Sequence, residues 1–159
     1  MSIFPTKILL AVDGSVNSAL AARTAVGLST KTGSELYVVH VAHLVPPSWG
    51  SEVSDLASRL YEESREEVRQ EAQTLLDEQV RKIEEAGGRV SEAKLREGRP
   101  DEEIVRLAEE IGAGLVVLGS RGLGLLKRAL IGSVSVSVVR HAHCPVLVVR
   151  PTGGTSRPF

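Results

Sequence analysis

With 159 residues, 42% hydrophobic and 25% charged, the sequence fits one globular domain able to bury about two thirds of its unfolded surface. A net charge of −1 gives no basis for nucleic-acid or membrane-surface binding, and no apolar run nears the roughly 20 residues of a bilayer span. Cys144 is the lone cysteine and the N-terminus has no signal-peptide pattern, so the expected setting is a reducing cytoplasm without an internal disulfide.

Residues 7–12, Lys-Ile-Leu-Leu-Ala-Val, form a near-continuous apolar run that reads as a first, central strand. Asp13-Gly14-Ser15 then turns the chain into an alanine-rich helix over residues 16–32, closed by Gly33. Asp13 sits at the carboxyl end of its strand, where open α/β sheets bind ligands, and it also suits a helix N-cap. The second strand, residues 35–41, opens into a proline loop carrying Trp49, a side chain that can cover a ligand or be incidental. His40 and His43 read as core or surface residues, not ligands.

Residues 51–86 are charged and helical, with an apolar stripe that includes Val68, Ala72, Leu75 and Ile83. One helix of that length would extend about 54 Å, so a break or a protruding first half is expected near residues 58–65. Its Glu/Arg pairs read as a solvated face. Beyond Gly87-Gly88, residues 89–96 alternate as an edge-type strand, and a turn through Gly98 and Pro100 leads to a helix over residues 102–111. Leu115-Val-Val-Leu118 is a buried strand, residues 133–142 show helical spacing, and Val146-Leu-Val-Val149 is the last strand. This β-α alternation implies an α/β fold, a single-domain doubly wound parallel sheet of five strands. His141-Ala-His143-Cys144 has poor spacing for a closed metal site and no evident fourth ligand.

The stretch with chemistry in it is Gly119-Ser120-Arg121-Gly122 through Gly132-Ser133-Val134-Ser135, laid out as strand, glycine loop and helix start. A helix N-terminus offers unpaired amides and about half a positive charge to an anion. Gly119 and Gly122 would let backbone approach a ligand, and Ser133 and Ser135 would add hydroxyl donors. Residues 119–149 contain no Asp or Glu, yet hold Arg121, Lys127, Arg128 and Arg140, a local balance that favours a bound phosphate. A tight connection with geometric glycines and capping serines gives the same local pattern. A P-loop is excluded because Gly119-x4-Gly124 is followed by Leu125, and the dinucleotide fingerprint fails at Gly122-Leu-Gly124 and at Gly112-Ala-Gly114.

Gly119-x2-Gly122-x9-Gly132-Ser133 resembles the nucleotide-binding signature of the universal stress protein family, in its ATP-binding branch, and the resemblance extends over residues 7–150. It implies strand order 3-2-1-4-5, an adenine nucleotide alpha hydrolase-like fold, and a ligand across the switch between the first and fourth strands. It implies ATP, with Mg²⁺ or Mn²⁺ on the phosphates near Asp13 and no separate protein metal site. The nucleotide-binding residues carried over are Ala11, Val12, Asp13, Val41, Gly98, Gly119, Ser120, Arg121, Gly122, Gly132, Ser133, Val134 and Ser135. Among these, Asp13 would lie near ribose and phosphates, Val41 would hold adenine by its backbone, and Gly98 with Pro100 would flank the phosphates. Cys144 matches a small packing residue before Pro145, and Val146–Val149 matches a homodimer strand. The loop has no carboxylate for a catalytic base, which leaves Asp13 alone; binding with at most slow hydrolysis follows. A sensor of AMP or cyclic AMP, and a dimeric interaction module without nucleotide, are the competing readings; any protein client is unknown. Residues 1–150 are expected to form the domain and residues 151–159, rich in Gly, Thr, Ser and Pro, a disordered tail.

Overall fold

A computed structural model describes residues 2–44, 47, 54–121 and 131–151. Trp49, Gly122, Lys127, Arg128 and the expected tail from residue 152 onward lie outside the described residues. The elements are β1 (Lys7–Ala11), α1 (Val16–Thr32), β2 (Glu35–His43), α2 (Asp55–Glu85), β3 (Val90–Gly98), α3 (Pro100–Ile111), β4 (Leu115–Gly119), α4 (Ser133–His141) and β5 (Val146–Val149). They form one parallel sheet in the order β3-β2-β1-β4-β5.

The aliphatic runs sort by period two into the two faces of the sheet. Ile8, Leu10, Leu36, Val38, Leu115 and Val117 pack with Ala21 and Ala25 of α1 and Leu76 and Ile83 of α2. Leu9, Val39, Val41, Val116 and Leu118 pack on the other face with Ile104, Leu107 and Ala108 of α3 and Val138 of α4. Helices α1 and α2 therefore cover one face, and α3 and α4 the other. The strand order reverses between β1 and β4, and a crevice opens there beyond the carboxyl ends of the strands.

Local chemistry sets the boundaries. Ser15, not Asp13, is the N-cap of α1: its side chain accepts from the Ser18 amide at 3.1 Å. Asp13 supports the turn instead, Oδ1 accepting from the Ser15 amide at 2.9 Å. Gly33 closes α1 in the left-handed conformation at φ 69°. Pro100 opens α3 two residues before the expected start, a position where its missing N–H costs nothing.

Of the two alternatives expected for α2, a break and a protruding first half, the structure rules out the break and leaves the first half exposed. The 31 residues of α2 form one unbroken helix, capped by Ser54, with no interruption at residues 58–65. Its buried residues, Ala72, Leu76, Gln79 and Ile83, all fall in the second half.

Candidate functional site

The carboxyl ends of β1, β2 and β4, the middle of α2 and the starts of α3 and α4 enclose a cleft of about 890 Å³. The strands bring Ala11, Val12 and Asp13, then Val39 to His43, then Leu118 and Gly119. Arg121, Ile131 and Gly132 to Ser135 close the far side.

The polar end is built at α4. Gly132 is its N-cap in an extended conformation, with no side-chain cap hydrogen bond. The Val136 amide is the first to reach back, to the Gly132 carbonyl at 3.0 Å. Helix geometry leaves the amides of Ser133, Val134 and Ser135 without an intrahelical acceptor, at the positive end of the helix dipole. All three residues line the cleft, as does Arg121. Backbone donors at a helix start beside an arginine can hold an anion.

Several expected donors are placed differently. The Ser135 hydroxyl is already spent on the Gly119 carbonyl at 2.7 Å, and the residue is buried. Among the described residues, the Ser133 hydroxyl is the one left at the helix start without a hydrogen-bond partner elsewhere in the fold, and it lines the cleft. Ser120, expected at the nucleotide, is 1% accessible and does not line the cleft. Its amide donates to the Val149 carbonyl at 2.8 Å and its carbonyl accepts from the Gly132 amide, so it braces the start of α4 from beneath. Gly98 also misses the cleft. It pairs with His43 at the sheet edge with φ 134°, a backbone state that favours glycine, and a Cβ would meet Glu103 Cγ at 3.4 Å. Gly119 lines the cleft, but its missing Cβ faces Asn17 of α1, not a ligand.

The opposite end is largely apolar, formed by Val39, Val41, Ala42 and Ile104 against Val68, Ala72 and Leu75. Residues 68, 71, 72 and 75 recur at helical spacing, so one stripe of α2 is a wall of the cleft. Sequence periodicity marked Val68, Ala72 and Leu75 only as a core stripe. Helical spacing identifies a buried face without saying whether protein or a ligand covers it. His40 and His43, read as core or surface, both line the cleft. His40 Nδ1 lies 2.8 Å from the Val12 carbonyl, so that nitrogen carries the proton and donates. Asp13 Oδ1 is committed to its turn, while Oδ2 has no hydrogen-bond partner among the described residues.

Charges outside the cleft act structurally. Glu97, at the end of β3, accepts from Arg65 at 2.9 Å and Arg69 at 2.5 Å on α2. The hydrogen bonds from Arg69 and Arg65, in that order, hold its carboxyl below the usual range. These arginines thus reach across to the sheet and are not confined to a solvated helix face. Burial pushes the Asp101 carboxyl up, but the Ser137 hydroxyl at 2.7 Å and nearby Arg99 outweigh it and leave the pKa lowered. That contact ties α3 to α4. Burial raises the Cys144 thiol, as fits a packing residue. Among the described residues no group of three or more His, Cys, Asp or Glu side chains is placed to hold a metal ion.

A family model described as the universal stress protein family matches residues 5–150. The chain belongs to the universal stress protein family. The universal stress protein YxiE of Bacillus subtilis is 37% identical over 146 residues, covering 91% of this chain and 98% of that protein. Among solved structures, the hypothetical protein MJ0577 is 26% identical with a TM-score of 0.76, over 96% of this chain and all of that one. A universal stress protein in complex with cAMP shares the fold at 22% identity and a TM-score of 0.69, over 95% of this chain and 100% of that chain. The family fold accounts for the sheet order and for a cleft at the switch point. Among the described residues no helix is long and apolar enough to cross a membrane.

Proposed function

We propose that this universal stress protein binds ATP in the cleft, together with a divalent cation, and acts as a nucleotide-dependent switch in a cytoplasmic stress response. The observation that carries the reading is the start of α4, where the amides of Ser133, Val134 and Ser135 and the side chain of Arg121 line the cleft. It belongs to a segment, residues 119–149, without a carboxylate. This end suits phosphate, and the apolar end between β2 and α2 suits a base. Asp13 fits the role of a cation ligand through Oδ2, with phosphate oxygens and water completing the hard oxygen shell that Mg²⁺ prefers. The cation would neutralise phosphate charge. Arg121 supplies charge for a departing phosphate, but among the described residues no second carboxylate lines the α4 end of the cleft to orient a water, so hydrolysis is slow at most. The reading includes a homodimer formed through β5.

A second reading, a sensor of AMP or cyclic AMP, is favoured by the relative of the same fold that holds cAMP. Calorimetry with ATP, AMP and cyclic AMP separates the two. ATP should bind most tightly and weaken with added salt, since exposed charge contacts are screened over about 10 Å at 0.1 M. Tighter binding of cyclic AMP would transfer the assignment to the sensor.

Ser133→Glu tests the phosphate end directly. An acidic residue in a first helical turn favours the helix by about 0.3–1 kcal/mol, so the melting temperature should not fall. The same carboxylate placed against phosphate should cost about tenfold or more in ATP affinity. Full ATP affinity in the folded variant would remove α4 from the site.

A further inference from the structure

We propose that Glu71 is the specificity-determining residue of the cleft: its carboxylate accepts a hydrogen bond from a donor on the nucleoside end of the ligand and fixes which way the nucleotide lies. The inference rests on nucleotide binding in the cleft and adds to it the residue that selects and orients the nucleoside.

Glu71 lies within the α2 stripe that lines the cleft, between Val68 and Leu75 and beside Ala72. Most of the other lining residues of that wall and of the facing β2 strand are aliphatic, so the exposed carboxylate of Glu71 stands with His40 and His43 as a polar group at the margin of a mainly apolar slot. Small-molecule sites are commonly of this form, an apolar surface with a few placed polar groups that carry the selectivity.

Its neighbours on α2 leave it unengaged. Glu62, Glu66, Glu78 and Glu85 each have an Arg or Lys partner on the helix. Positions three and four residues from Glu71 hold Glu67, Val68, Thr74 and Leu75, so no cation is within helical reach. Among the described residues Glu71 has no hydrogen bond or ion pair.

An ionised carboxylate can only accept hydrogen bonds. It therefore rewards the exocyclic amine of adenine or a ribose hydroxyl, and it repels phosphate and the carbonyl of a 6-oxo purine. Arg121 and the bare amides at the start of α4 do the reverse. The two groups give the cleft a polarity: nucleoside toward α2, phosphates toward α4.

The test is calorimetry of the full chain and its Glu71→Ala and Glu71→Gln variants with AMP, IMP and 2′-deoxy-AMP. Exposed Ala is at least as helix-favouring as Glu, so the Ala variant should keep its circular-dichroism spectrum. In the unmodified protein AMP should bind about tenfold more tightly than the analogue lacking the donor, the range expected for a hydrogen bond to a charged group. Glu71→Ala should erase that preference. Glu71→Gln, which can donate as well as accept, should move the AMP-to-IMP ratio toward one if the amine is the group read. Loss of the preference over IMP assigns the exocyclic amine, and loss of the preference over 2′-deoxy-AMP assigns the ribose; either supports the proposal. Unchanged ratios in both variants, with AMP still bound, would overturn it and leave nucleotide binding standing. No binding of AMP or ATP by the unmodified protein would overturn both.

Discussion

A Cβ on Gly119 would lie 2.7 Å from the carbonyl carbon of Asn17 and 2.9 Å from its oxygen, against helix backbone that no rotamer change can move aside. Gly132 is less crowded, its nearest neighbour being the Ser120 carbonyl oxygen at 3.3 Å. The glycine spacing in the sequence announced a strand end and a helix start correctly, but it could not divide the glycines between ligand and packing. What a missing Cβ makes room for depends on the tertiary neighbour. The same holds for Ser135, whose hydroxyl looked available until the Gly119 carbonyl was placed beside it. Gly119→Ala should therefore destabilise the fold by about 1–3 kcal/mol, as overpacking does. For a chain of this size that lowers the melting temperature by about 2–4 °C per kcal/mol. A thermal melt indistinguishable from the unmodified protein would return Gly119 to a purely ligand-facing role.

Helix α2 persists across its poorly amphipathic first half because local and tertiary contacts replace core burial. Ser54 caps it, and Arg65 and Arg69 fasten it to Glu97 at the end of β3. Leu56 and Leu60 are 67% and 57% exposed, so the residues before the clamp bury little. The sequence exposed the weakness of the apolar stripe but not the clamp, which joins residues 28 and 32 positions apart. Because the arginines of the clamp are solvent-exposed, water screens each pair and its contribution to stability is small. Glu97→Gln should speed amide hydrogen exchange in the first half of α2 while leaving α3 unchanged. The pH dependence has a definite sign. The folded-state pKa of Glu97 is depressed, so its contribution is complete above the unfolded value of about 4.3 and fades as pH falls through the lower folded value. Exchange in the first half of α2 should rise in that acid window in the unmodified protein, and the Gln variant should lack the step. A clamp-free variant with an identical exchange pattern would show that other contacts hold this half.

At the scale of the molecule, the apolar runs and their alternation with helices sufficed for a parallel α/β sheet, while the order 3-2-1-4-5 came from resemblance and is met in the structure. The cleft walls were less legible, since α2 meets the strand ends only after the chain has folded back. The two sheet edges differ in a way that bears on assembly. Strand β3 carries Glu92, Lys94 and Arg96 along one edge, charges of the kind that block pairing with other chains. Strand β5, Val-Leu-Val-Val, carries no charge, and only Pro145 and Arg150-Pro151 bound its length. Two copies can pair β5 antiparallel about a two-fold axis and join their sheets. Leu147 and Val149 pack on the α1 and α2 side and Val146 and Val148 on the α3 and α4 side, so a Lys at any of them would damage a core as well as an interface. The informative measurement leaves the sequence intact. Light scattering at micromolar concentration should give about twice the 17.0 kDa chain mass. Amide exchange should then show protection in β5 that declines on dilution, while β3 stays unaffected. A clean monomer at that concentration would refute pairing through β5, and a dimer with concentration-independent exchange in β5 would move the interface elsewhere.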